Sequence, residues 1–263
     1  MGVIYLVRHG QAGAGMGGVG SLDDGAVEKH YDGLTARGRR QAEVVARSLV
    51  ERIGRPGEPA AATVFCGPLH RQHDTALAVA SALGAGAPVS DPAWKEFDSD
   101  TVVVPWLRRN PGTARRLQGV MQDARRGAAG AAGAEVGAGV ESVVGEVLDG
   151  ALGEWVEGAG FREFRETVLG GLDRATAAAR ADGAVVVATS AGVIATCTAA
   201  VSGLPHQAVP SLVGTVFNAS VTVLRVADDA GRHRGGGAGV DLVSFNEHAH
   251  LDRADARGDL TVI

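Results

Sequence analysis

Val3-Ile4-Tyr5-Leu6-Val7 is a run of β-branched, aromatic and aliphatic residues that stops abruptly at Arg8-His9-Gly10. Such a run fits a strand buried on both faces of a parallel sheet. Ligands of open α/β sheets bind just beyond the carboxyl ends of their strands, which is where Arg8 and His9 would stand. Arginine presents a rigid fork of donors that matches phosphate oxygens. Histidine is a nucleophile near neutral pH when its other ring nitrogen is held by a hydrogen bond. Gly10 would let the backbone approach a ligand closely. The tripeptide alone fits an ordinary strand-to-loop junction equally well.

The next eighty residues repeat the strand-then-helix rhythm. A glycine-rich stretch from Gln11 to Gly33, carrying Asp23, Asp24, Glu28 and Asp32, reads as a solvated loop. Thr35 reads as an N-cap, and Ala42, Val45, Ala46, Leu49, Val50 and Ile53 recur at helical spacing up to Gly54. Ala61 to Cys66 reads as a short buried strand, broken by Gly67-Pro68, and Leu69 to Leu83 returns to helical periodicity. Alternation of this kind predicts an α/β three-layer sandwich, a mostly parallel sheet with helices on both faces. The pattern lapses between Asp98 and about Gly160, where Gly127 to Gly139 is almost all alanine and glycine and fits a loop or a weak helix. We read residues 98–160 as a partly helical insertion lying as a lid over the strand ends of a single domain spanning 1–263. A helix near Phe161 to Ala181, a strand at Ala184 to Ala188, a turn at Thr189 to Gly192 and a helix from Val193 to Val201 follow. Ser220 to Val226 and Asp241 to Phe245 read as paired strands, and Thr261 to Ile263 as a possible last edge strand.

Composition narrows the function classes. The 25 basic and 30 acidic residues give a formal net charge of -5, and no block of Lys and Arg stands out, so a nucleic-acid partner is not expected. No apolar stretch reaches membrane-spanning length, and the first strand begins at Val3, so the expectation is a cytoplasmic protein without a membrane partner. Cys66 and Cys197 sit in apolar surroundings and read as small core residues. Clustered histidines such as His248 and His250 lack further ligands at a recognisable spacing, so neither a metal nor another cofactor is expected.

Two further segments make the tripeptide specific. Leu34-Thr35-Ala36-Arg37-Gly38-Arg39-Arg40-Gln41-Ala42 opens the first helix, and Gly67-Pro68-Leu69-His70-Arg71-Gln72-His73-Asp74-Thr75-Ala76 opens the second. Together with Leu6-Val7-Arg8-His9-Gly10-Gln11 they resemble, in order and spacing, the histidine phosphatase superfamily, also called phosphoglycerate mutase-like. The resemblance implies a metal-independent phosphomonoester hydrolase in which His9 accepts the phosphoryl group as a phosphohistidine. Arg8 and Arg71 would clamp the phosphoryl oxygens, with Gly10 and Gln11 beside them in the phosphate loop. That agrees with the chemistry, since phosphoryl transfer is mostly positioning plus neutralisation of charge on the equatorial oxygens. Glu96, in Trp94-Lys95-Glu96-Phe97-Asp98, corresponds to the acid that protonates the leaving oxygen and later activates water; Asp98 is its rival. The partner would be a small phosphorylated molecule or a phosphoprotein. The residues after Gly10 lack the Ser-x-Trp-Asn continuation of cofactor-dependent mutases, which favours hydrolysis over mutase activity.

The chain departs from the family at one position. Where a second histidine is expected after the strand Val185-Val186-Val187-Ala188, the turn reads Thr189-Ser190-Ala191-Gly192. A serine hydroxyl at that phosphate contact donates one hydrogen bond but carries no imidazolium charge. Two other readings follow. One is a weak or inactive pseudo-phosphatase that holds a phosphorylated ligand. The other is a serine hydrolase using Ser190 in an elbow-like turn, followed in order by Asp228 or Asp229 and by His248 or His250. His70, His73, His248 and His250 are the candidates to replace the absent imidazole, and each reads more simply as a surface or capping residue.

Overall fold

In the computed structural model, described for residues 2–13, 32–54, 62–127, 133–227, 239–252 and 260–261, the elements follow the expected alternation. Strand β1 (Gly2–Arg8) precedes helix α1 (Ala36–Ile53), and β2 (Ala62–Cys66) precedes α2 (His70–Leu83). A two-residue strand β3 (Val89–Ser90) and a 3₁₀ turn at Pro92–Trp94 lead into α3 (Ser99–Arg109), α4 (Pro111–Gly127) and α5 (Gly133–Trp155). After α6 (Ala159–Asp182) come β4 (Ala184–Thr189), α7 (Ala191–Val201), the short α8 (Val209–Val213), and strands β5 (Val221–Val226) and β6 (Val240–Glu247).

The six strands form one sheet in the order β3-β2-β4-β1-β5-β6. The pairs from β3 to β1 are parallel, and β5 and β6 extend the sheet antiparallel beyond β1. Strand alternation sends side chains to opposite faces and so divides the core in two. Ile4 and Leu6 of β1 join Val185 and Val187 of β4 and Leu224 of β5 under α3 to α7. Val7, Val186, Ala188 and Val221 face the other way, against Val45, Ala46 and Leu49 of α1 and Ala76, Val79 and Leu83 of α2. Each fully buried branched side chain contributes roughly 1.5–3 kcal/mol through removal of apolar surface from water.

Most of the expected insertion is helical and continues this core. Val102, Val103, Trp106 and Leu107 of α3, Leu117 of α4 and Val144, Val147 and Leu152 of α5 are buried in the same cluster as Val187 and Ile194. The helical half of the Ala/Gly segment is its end, Gly133 to Gly139, inside α5; residues 128–132 lie outside the described set. Leu260 and Thr261 are irregular in place of the expected edge strand, and Ile263 lies outside the described residues. Helix α7 is apolar on every side, which suits an element enclosed between the sheet, α6 and α8. Among the described residues, no helix is long and apolar enough to cross a membrane.

Candidate active site

The chemistry gathers at the carboxyl ends of β1 and β4. Their register pairs Arg8 with Thr189, and the His9 amide donates to the Thr189 carbonyl at 2.8 Å, so His9 and Ser190 leave the sheet at adjacent positions. Arg8, His9, Arg71 and Ser190 are all buried. His9 Nδ1 lies 2.7 Å from the Gly10 carbonyl oxygen, which only accepts, so the ring proton sits on Nδ1. Nε2 is left with its lone pair, and Arg71 Nε donates to it at 3.2 Å. Burial, then the guanidinium charges of Arg71 and Arg8, hold the His9 pKa well below its ordinary value of 6.5. The imidazole is therefore neutral and nucleophilic at neutral pH.

The two arginines are fixed from different directions. An Arg8 Nη1 hydrogen bond goes to the Val216 carbonyl oxygen. Arg71, in the first turn of α2, pairs through Nη1 with Asp32 at 3.2 Å. Ala219, with φ 56°, turns its amide toward the Arg8 and His9 carbonyls at 3.0 and 3.3 Å. A non-glycine residue in the left-handed region is strained, and here that strain closes the end of β1. Asn218 Nδ2 adds a hydrogen bond to the His9 carbonyl at 3.1 Å.

Gly10 and Gln11 have a different use from the expected one. The Gly10 amide donates to Thr75 Oγ1 at 3.1 Å and the Gln11 amide to Gln41 Oε1 at 2.7 Å, so both are committed within the protein. A Cβ on Gly10 would collide with the Gly38 carbonyl, and one on Gly38 with the Gln11 carbonyl. The close approach that glycine permits here is between the nucleophile loop and the first turn of α1. The Gln11 side chain accepts from the Thr35 hydroxyl at 3.1 Å, which ties it to the residue that caps the same helix.

Of the two candidate acids, the structure brings Glu96 to the site. Its Oε2 accepts from the Gly192 amide at 3.0 Å and its Oε1 from the Phe97 amide at 3.0 Å. Burial raises its pKa above the usual 4.5, against the opposing pull of these amides and of Arg71 and Arg8. Asp98 instead caps α3, its Oδ1 accepting from the Asp100 amide at 2.9 Å. Gly192 is obligatory in this arrangement, because a Cβ there would strike Glu96 Oε1 and the Phe97 ring.

Ser190 is held by a residue that sequence reasoning passed over. Gln72 Nε2 donates to Ser190 Oγ at 2.8 Å and to the Trp94 carbonyl at 2.9 Å, and its Oε1 accepts from the Leu69 amide at 3.3 Å. A glutamine three positions after the helix N-cap was the available signal, but it pointed to helix capping only. None of His70, His73, His248 and His250 is hydrogen-bonded to His9 or Ser190 among the described residues. His70 is exposed, and His248 Nδ1 bonds the Asn246 carbonyl while its ring stacks on Phe217. His250 Nε2 bonds the Ala219 carbonyl at 2.8 Å. The serine-hydrolase arrangement thus has an amide, which is no base, against Ser190; Asp228 and Asp229 lie outside the described residues. Cys66 and Cys197 are buried and free, and burial pushes their thiols up to about 11 and about 12. Among the described residues no group of three or more His, Cys, Asp or Glu side chains could hold a metal ion.

Comparison with known proteins bears on the fold and the family. No curated protein matches the chain significantly. Among solved structures, a phosphoserine phosphatase of Entamoeba histolytica in complex with phosphoserine superposes with a TM-score of 0.52 at 16% identity, over 95% of this chain and 100% of that one. An alpha-ribazole phosphatase of Shigella flexneri gives 0.52 at 18% identity, over 93% and 96% of the two chains. These likenesses establish the fold. A family model matches residues 4–156, a stretch that holds Arg8, His9, Arg71 and Glu96. The chain belongs to the histidine phosphatase superfamily, branch 1.

Proposed function

We propose that the protein hydrolyses phosphate monoesters through a phosphohistidine on His9. The observation that carries this reading is the tautomer: Nδ1 is tied to the Gly10 carbonyl and the Nε2 lone pair is kept unprotonated between two guanidinium groups. Nε2 attacks phosphorus, the bond to the leaving oxygen breaks, and protonated Glu96 gives that oxygen its proton. Glu96, now a carboxylate, takes a proton from water as the water oxygen attacks the phosphohistidine. Phosphate leaves, and His9 and protonated Glu96 are restored. Arg8 and Arg71 neutralise the charge on the equatorial oxygens throughout. The opposite pKa shifts of His9 and Glu96 favour an unprotonated nucleophile beside a protonated acid, the direction expected of such a pair. The substrate side of the site borders the inserted helices, for Trp155 at the end of α5 packs on Phe97, beside the acid, at a centroid distance of 5.1 Å. We assign helices α3 to α5 the role of cover over the leaving group, and a phosphorylated metabolite or phosphoprotein as the substrate.

Acid-labile label from a ³²P-phosphomonoester should appear on the wild-type protein and vanish in His9→Ala, together with turnover of a chromogenic phosphomonoester. Equal turnover by the two proteins would overturn the reading. The serine in the second-histidine position favours one alternative, a pocket that binds a phosphorylated ligand without hydrolysing it. Phosphate binding that disappears in Arg8→Ala, with neither label nor turnover across a broad phosphomonoester panel, would establish that alternative.

A further inference from the structure

The hydrogen bonds around Ser190 leave one proton unassigned. The Trp94 carbonyl can only accept, and it receives both Gln72 Nε2 at 2.9 Å and the Thr189 hydroxyl at 2.8 Å. The Gln72 amide orientation is fixed by that carbonyl and by the Leu69 amide on its oxygen side, so nitrogen faces Ser190. Ser190 Oγ is therefore an acceptor toward Gln72. Its own hydrogen has no acceptor among the described residues, although Ser190 is only 1% exposed. A buried donor without an acceptor costs about 1–3 kcal/mol, so its persistence beside a phosphoryl site points to a ligand oxygen as the missing partner. Two features place the hydroxyl at that site. His9 leaves β1 alongside Ser190 on β4, and Gly192, two residues on, holds the acid Glu96.

We infer that Gln72 is a positioning residue that turns the Ser190 hydroxyl outward as a neutral donor to a phosphoryl oxygen, the pair standing where a titrating imidazole would otherwise be. This rests on the phosphatase reading above. Without Gln72 nothing would hold the Ser190 oxygen as an acceptor, so its hydrogen would no longer be directed outward and the ligand would lose it. The groups facing this half of the pocket are His9, Arg8, Arg71 and Glu96. His9 is held neutral, which leaves Glu96 as the acid to control for.

The test is calorimetric titration with inorganic phosphate. Ser190→Ala should weaken binding about three- to tenfold, the worth of one neutral hydrogen bond. Gln72→Leu should weaken it by a similar factor, and the double variant should lose no more than either single one. Full affinity in Gln72→Leu, or losses that multiply in the double variant, would overturn the inference. Should Gln72→Leu fail to fold, a pH series from 6 to 8 in the Glu96→Gln background decides. Once corrected for phosphate's own ionisation, affinity should be flat with Ser190 in place. It should fall with rising pH in the Ser190→His variant as the imidazolium deprotonates. A fall already present with Ser190 would show a titrating contact and overturn the proposal. Absence of any phosphate binding by the wild-type protein would overturn the phosphatase reading itself.

Discussion

The pocket has two unlike halves. The half built by β1 and α2 is cationic: Arg8 and Arg71 flank the His9 ring, and Asp32 answers one guanidinium from outside. The half built by β4 and α7, to which α2 lends the Gln72 carboxamide, is neutral: Ser190, the Gly192 amide and that carboxamide are dipoles without charge. A guanidinium neutralises phosphoryl charge outright, whereas a neutral donor supplies a weaker hydrogen bond to it. In the proposed mechanism the difference puts most of the charge stabilisation on one wall and the weaker contacts on the other.

The sharpest way to break that assignment is to remove one contact from each wall. Arg71→Ala should lower kcat/KM by about 10³-fold or more, within the range seen for arginines that stabilise phosphoryl transfer. Ser190→Ala should cost no more than about tenfold. Steady-state kinetics on a chromogenic phosphomonoester checks both, and comparable losses would dissolve the distinction between the walls.

Glu96 bridges the halves and should show it in the pH profile. In the proposed mechanism activity requires neutral His9, so it should be lost as pH falls through a His9 pKa that lies below 6.5. It also requires protonated Glu96, so it is lost again as pH rises through a pKa that lies above 4.5. Glu96→Gln should reduce kcat by about 10²- to 10⁴-fold, the usual worth of a general acid, and remove the alkaline limb while leaving the acid one. An unchanged alkaline limb would assign it to another group. Gly192→Ala tests the same residue through its seat. The added Cβ evicts Glu96 Oε1, and a displacement of about 1 Å is worth up to about 10²-fold in rate. An unchanged melting temperature by circular dichroism would separate this from unfolding.

Legibility in the sequence followed the same division. Arg8, His9 and Arg71 sit at fixed offsets from strand ends and helix starts, so local periodicity is enough to place them. The resemblance favours Glu96 over Asp98, but the contact that separates them physically is with Gly192, ninety-six residues away from Glu96. Gln72 carries no local signal of its contact, because its partner Ser190 lies 118 residues away. Gly10 suggested ligand approach, but its missing side chain makes room for the Gly38 backbone. The inserted helices were obscured by composition: Pro105 lies inside α3 and glycine is frequent in α5, although Val102, Val103, Trp106 and Leu107 share one buried face. Short-range pattern reveals elements and motif residues, and long-range pairing decides which of their side chains meet.

The smallest effect concerns how the charged wall is kept in register. Gln41 accepts from the Gln11 amide and donates to Thr261 Oγ1 at 2.9 Å; Thr261 Oγ1 donates to Asn218 Oδ1 at 3.0 Å; and Asn218 donates to the His9 carbonyl at 3.1 Å. The chain of bonds passes from one side of the nucleophile loop to the other through a residue near the carboxyl terminus. Thr261→Val keeps the shape but removes the hydroxyl that links the two amide side chains, and with it the hydrogen bond to Asn218 Oδ1. The expected cost is about 1–3 kcal/mol in stability, read as a lower denaturation midpoint. The rate should fall only about two- to fivefold, and in kcat rather than KM, because the arginines still bind phosphate while the His9 ring loses part of its constraint. A rise in KM with kcat unchanged would mean that this network shapes the phosphate-binding wall and leaves the nucleophile's aim untouched.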